Sequence, residues 1–76
     1  MLNAHDTEIA MEHFFRDCYK FWMRSTNDER EAFQKALNDI RDITTDPFDP
    51  FGKALDVETK KNFIKYREMD LGIVRV

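Results

Sequence analysis

Between Glu8 and Arg24 the apolar residues Met11, Phe14, Phe15, Cys18, Phe21 and Trp22 recur at steps of three and four. That spacing belongs to a helix, because in a strand every second side chain shares a face. Asp6 and Thr7 stand just before it as N-cap candidates, since a short oxygen-bearing side chain there accepts from an otherwise orphaned amide of the first turn. The predicted helix covers about residues 7–24. With Tyr19 and Met23 its apolar positions sweep about 200°, wider than the roughly 100° stripe that rests on one neighbour. It is therefore expected to be covered on more than one side. Glu12, His13, Arg16, Lys20 and Arg24 make up the polar strip, which puts His13 in water.

Thr26-Asn27-Asp28-Glu29 reads as a capping box, with the Thr hydroxyl accepting from the Glu amide and the Glu carboxylate reaching back to the Thr amide. A second helix is predicted over about residues 27–43. Its stripe is Ala32, Phe33, Ala36, Leu37, Ile40 and Ile43, while Gln34, Lys35, Asn38, Arg41 and Asp42 face out. So short a link predicts that the first two helices form an antiparallel hairpin.

From Thr44 to Leu55 the pattern breaks at Asp46-Pro47-Phe48-Asp49-Pro50-Phe51-Gly52, where each proline removes an amide donor and biases the preceding Asp away from helical dihedrals. This predicts an ordered loop. Asp56 then caps a third helix, expected over 57–71 and closed by Gly72. The tail over 72–76, with Ile73-Val74-Arg75-Val76, is β-prone and too short for a strand of its own. The fold class expected is all-α: one small domain over 1–76, an antiparallel helical hairpin plus a third helix after the Pro/Phe loop.

On the third helix Val57, Ile64 and Leu71 fall on one stripe, and Phe63, Tyr66 and Met69 on a broad, nearly opposite side. One set can pack on the hairpin, which leaves the other for a partner. Seven Phe, two Tyr and Trp22 are much aromatic surface for so short a chain. The candidate partner-binding residues are Phe63, Tyr66 and Met69, with Tyr19 and Trp22 of the first helix and Phe48 and Phe51 of the loop. The alternative is that the loop folds back and its two rings cover the second face. The repeat Asp46-Pro47-Phe48, Asp49-Pro50-Phe51 resembles the short motif with which eukaryotic endocytic accessory proteins engage clathrin-adaptor appendage domains. That resemblance covers six residues of 76. In physical terms the repeat is a Pro-stiffened turn that presents two rings at reduced entropic cost.

Composition narrows the function classes. A lone Cys18 makes neither an intramolecular disulfide nor a zinc site, and two Gly give no phosphate-binding loop. Asp39, Asp42, Asp46 and Asp49 lack the spacing and turn glycine of a calcium loop. Cys18 lies on the apolar arc and His13 on the polar strip, so no nucleophile and base meet there. The expectation is no cofactor, no metal and no enzymatic activity. No apolar run approaches the roughly 18–20 residues that span a bilayer, and Met1 to Ala10 lacks the pattern of a secretory signal. No membrane partner and a cytoplasmic location are therefore expected.

The formal charge of −3 is unevenly placed. Residues 1–51 carry six Lys/Arg against eleven Asp/Glu, and residues 52–76 carry six against four. Such a dipolar chain suits pairing with a protein, or with a second copy of itself, better than binding to a polyanion. Lys60, Lys61, Lys65 and Arg67 are the candidate nucleic-acid contacts, opposed by the acidic first half and by a loop too long for a helix-turn-helix. Asp28, Glu29, Glu31, Asp39, Asp42, Asp46 and Asp49 offer the converse, a small acidic inhibitor that imitates nucleic-acid charge. The function expected is a non-enzymatic protein-interaction or regulatory module, of a size common among phage and mobile-element accessory proteins.

Overall fold

The computed structural model describes the backbone of residues 1–75 and the side chains of residues 1–70. Its regular elements are all helices: α1 Ala4–Thr26, α2 Glu29–Thr45, α3 Pro50–Ala54 and α4 Val57–Arg75. The all-α class holds, with four helices among the described residues where three were expected.

The differences trace to caps. Asn3, not Asp6 or Thr7, is the N-cap of α1, and its Oδ1 accepts from the Asp6 amide at 2.8 Å. Thr7 is drawn inside: it is fully buried, and its hydroxyl accepts from the Asp56 amide at 2.8 Å. At the other end α1 runs on through Thr26, whose Oγ1 donates to the Trp22 carbonyl at 2.8 Å and accepts from the Asp28 amide at 3.3 Å, so the cap expected of Thr26 passes to Asp28. Asn27 takes the left-handed conformation (φ 54°) that ends α1, a conformation Asn tolerates better than most residues. Asp28 then caps α2 by accepting from the Glu31 amide at 3.1 Å.

The Pro/Phe segment contains the unexpected α3. Asp49 is its N-cap, accepting from the Phe51 and Gly52 amides, and Pro50 occupies the first turn. A proline there loses no bond, because the first-turn amides are orphans in any case. What reads as a helix breaker is here a helix start. α4 does not stop at Gly72 but continues through Ile73, Val74 and Arg75, so the predicted β-prone tail is helical as far as it is described; Val76 lies outside the described residues.

The core joins Met11 and Phe15 of α1 to Ala36, Leu37 and Ile40 of α2, with Leu55 and Phe63 closing it. Phe15 meets Phe33 edge-on at 5.1 Å and Phe63 at 6.2 Å. Phe51 of α3 stacks on Phe14 at 5.5 Å, and α1 also contacts α2 and α4. This accounts for its wide apolar arc except at Phe21, which was expected in the covered arc and is 59% exposed. The inward side of α4 is Lys60, Phe63, Ile64 and Arg67, at helical spacing. Phe63 is thus a core residue, buried at 8% exposure, whereas Val57, expected on the packed stripe, is exposed. The side chain of Leu71 lies outside the described residues. Among the described residues no helix is long and apolar enough to cross a membrane.

Two consequences can be measured. A Cβ at Gly52 would stand 2.5 Å from the Ile43 carbonyl oxygen and 3.3 Å from Thr44 Cα, both backbone atoms that cannot rotate away. Gly52→Ala is expected to lower stability by about 1–3 kcal/mol, the usual cost of overpacking, read from the urea midpoint; an unchanged midpoint contradicts the packing described. The Asp56 carboxylate accepts from the Thr59 hydroxyl at 2.7 Å and amide at 3.0 Å, which holds its carboxyl below the usual value near 3.8. A depressed carboxyl stabilises the fold above its unfolded-state pKa and loses that contribution as pH falls through the folded-state value. The stability gap between wild type and Asp56→Asn should hold at neutral pH and shrink as pH drops below about 4; a gap that stays unchanged as pH is lowered further, well below about 4, removes the charge from the explanation.

Candidate functional site

At one surface an open groove meets large side chains that the core has left out. Tyr66 is 59% exposed and Met69 54% exposed, one turn apart on α4. Tyr66 borders a groove of about 440 Å³ between the start of α1 and α4. His5 and Glu8 form one wall, Asn62 and Tyr66 the other, and Phe63 contributes to the lining. His5 and Glu8 also belong to a shallower depression of about 270 Å³ that extends along α1 past Ile9 and His13. Ile9 is 45% exposed.

This face exists because of how α4 is rolled. Arg67 donates to Glu12 of α1 at 2.7 Å and to Asp70 at 3.1 Å, while its guanidinium lies 4.8 Å from the Phe63 ring centre and 5.7 Å from that of Phe15. An Arg41–Glu68 ion pair ties the next turn of α4 to α2. With Phe63 and Arg67 turned inward, the helical step carries Tyr66 and Met69 outward.

The predicted site residues therefore separate. Tyr66 and Met69 remain available, but Phe63 is packed. Trp22 is half-buried and donates Nε1–H to Asp39 at 2.7 Å, with the Lys35 ammonium 4.7 Å from its ring centre. It joins α1 to α2. Tyr19 is half-buried and borders a separate depression with Phe15 and Phe33. Phe51 is seated on Phe14, whereas Phe48 is 85% exposed.

Of the four basic candidates, Lys60 donates to the Thr44 and Gly52 carbonyls at 3.0 and 3.3 Å, and Arg67 is held as described. Lys61 and Lys65 alone of the four are exposed. Several of the acidic candidates also have work inside the chain: Asp28 and Asp49 cap helices, Asp46 accepts from the Phe48 amide, Asp39 holds Trp22 and Glu31 pairs with Lys35. Among the described residues no group of His, Cys, Asp and Glu is placed to hold a metal ion.

Sequence reading missed His5 because it began the first helix at about residue 7, whereas α1 begins at Ala4. The signal was present in Asn3, followed three residues on by Asp6, which is an N-cap with an acid in the first turn. A helix started there places His5 and Glu8 one turn apart on α1.

Cys18 sits beside Asp39 on the α1–α2 side. Burial pushes its thiol up, the charges of Asp39 and Asp17 push in the same direction, and a hydrogen bond to Asp39 adds to them. The thiolate, which is the reactive form, is accordingly scarce. Iodoacetamide at pH 8 should label Cys18 more slowly than a free cysteine, and Asp39→Asn, which can still accept from Trp22, should speed it; equal rates in the two proteins would remove Asp39 as a cause.

Comparison of the chain with protein-family models, with curated proteins and with solved structures finds no match, so the reading of this face rests on its own geometry.

Proposed function

We propose that this chain is a small non-enzymatic protein-binding module whose contact face is the α1–α4 groove, with Tyr66 and Met69 as its apolar anchors. The observation that supports the reading most directly is the exposure of those two side chains, Tyr66 in the lining of an open groove and Met69 one turn further along α4, in a chain whose core is already closed by Phe63. Large side chains set next to a concavity are the type that dominates interface energetics. In this reading residues 1–76 act as one domain, with α1 and α2 as an antiparallel hairpin that holds the groove wall rigid.

The nucleic-acid alternative has less behind it. Lys60 and Arg67 are committed to contacts within the chain, which leaves Lys61 and Lys65 of the four candidates, few charges for a backbone-tracking surface. The acidic-mimic alternative has the same weakness in reverse, since Asp28, Asp46 and Asp49 serve caps and turns, Asp39 holds Trp22 and Glu31 pairs with Lys35.

A photoreactive phenylalanine analogue placed at position 66 and irradiated in a lysate of the source cells is expected to form a protein adduct that the same probe at exposed Glu29 does not form. The adducted protein, once purified, should bind wild type at least about tenfold more tightly than a Tyr66→Ala, Met69→Ala variant of unchanged helicity, the loss typical of anchor residues. Absence of a position-specific adduct, or equal binding by the variant, overturns the assignment of this face.

A further inference from the structure

The depression along the start of α1 does not end at His13. Glu12 and Arg16, at its far end, also line the depression of about 250 Å³ that Tyr19 borders with Phe33. The two depressions thus make one strip along α1. Its central residues Ile9, Glu12, Arg16 and Tyr19 follow at steps of three, four and three, the seam spacing with which one helix lies along another. α1 is 23 residues long, so a neighbouring helix has several turns to follow. The chain itself leaves the strip open, with Ile9 45% exposed and Arg16 exposed.

The charges in the lining say which helix fits. Arg16 forms no ion pair among the described residues, although Glu12 stands one turn before it. Glu12 engages Arg67 through Oε2 and still has 41% of its side chain exposed. A second α1 laid antiparallel about a two-fold axis level with Phe14 brings Glu12 against the partner's Arg16, and Arg16 against the partner's Glu12. In the same register Ile9 meets the partner's Tyr19 on one side of that layer, and Tyr19 meets the partner's Ile9 on the other. A parallel arrangement sets Glu12 on Glu12 and Arg16 on Arg16, which like charges oppose. The strip is therefore complementary to itself in one direction and one register, and a polar central layer is the kind that fixes both.

We propose that this chain forms a two-fold dimer through antiparallel α1 helices, with the Glu12–Arg16 and Ile9–Tyr19 contacts each made twice. The dimer face lies beside the α1–α4 groove and does not use Tyr66, so it goes beyond the binding role assigned to that groove.

Sedimentation equilibrium on the full chain tests it. Wild type should dimerise, and added salt should weaken the dimer because its ion pairs lie near the surface. Arg16→Glu sets Glu against Glu twice at a position with no ion pair in the monomer, and should weaken the dimer at least about tenfold. Glu12→Lys should do the same by setting Lys against Arg. An equimolar mixture of these two variants, both helical by circular dichroism, should associate more tightly than either alone, because the heterodimer restores both pairs. Because Glu12 also holds Arg67, the register is read separately, from nitroxide labels on Cys introduced at exposed His13 or Lys20 in a Cys18→Ser background. Labels at 13 should lie nearer each other across the dimer than labels at 20, since the axial offset grows by about 3 Å per residue from the two-fold axis, twice the helical rise. A wild type monomeric to millimolar concentration, Arg16→Glu that dimerises like wild type, a mixture without recovery, or labels no nearer at 13 than at 20 would each overturn the proposal. Tyr66→Ala should dimerise like wild type; dissociation there would move the contact to the α1–α4 groove and overturn the placement on α1.

Discussion

The end of α2 depends on a lysine from another helix. α2 has no basic residue in its last turn to meet the partial negative charge of its carbonyls. Lys60 of α4 supplies that charge, donating to Thr44 of α2 and to Gly52 of α3 with one ammonium group. The arrangement requires α3 to lie against the α2 terminus, and the missing side chain at Gly52 permits the approach to Ile43. The Leu2 amide donates to Ala54, and the Asp56 amide to the Thr7 hydroxyl, so the start of α1 is fastened to the same junction. A charge-assisted hydrogen bond contributes about 1.5–3 kcal/mol. Against a typical total of about 5–15 kcal/mol, one such group at a junction of four helices carries weight out of proportion to its size.

From that junction α4 departs in a direction and roll that the α1–α4 seam completes. The Arg67–Glu12 pair alone is worth little, since partly exposed ion pairs contribute about 0–1 kcal/mol. Burial of Phe63 contributes more, on the order of 1.5–3 kcal/mol for a side chain of that size. Arg67 adds to it by lying over the Phe63 ring as a cation. Apolar burial therefore decides which side of α4 faces in, and the ion pairs set its register. The exposure of Tyr66 and Met69 is a direct result, and the proposed binding face is thus tied to the residues that stabilise the fold.

The tandem repeat separates what is local from what is not. Aspartate before proline sets the same turn twice, because the carboxylate finds the amide two residues on wherever the motif stands. Nothing within either tripeptide states whether its ring will be covered. Phe51 is covered because α3 carries it toward Phe14, whereas Phe48 precedes the α3 cap and is left outside.

Sequence periodicity by itself determined the helical class, the stripe of α2 from Ala32 to Ile40, the wide burial of α1 and the polar placement of His13, since each is a matter of which residues share a face at 3.6 per turn. It misplaced the caps at Thr7 and Thr26, because several short polar residues compete for each helix end and tertiary contacts choose among them. It also misread α4. The inward stripe there includes Lys60 and Arg67, whose long stems pack while their charges find carbonyls and a carboxylate, and a pattern that scores cations as surface cannot see this. Only the packed structure could roll Phe63 inward, leave Tyr66 at the edge of a groove and bring His5 opposite it, because those outcomes depend on atoms some fifty to sixty residues apart in the chain, beyond the reach of any local spacing.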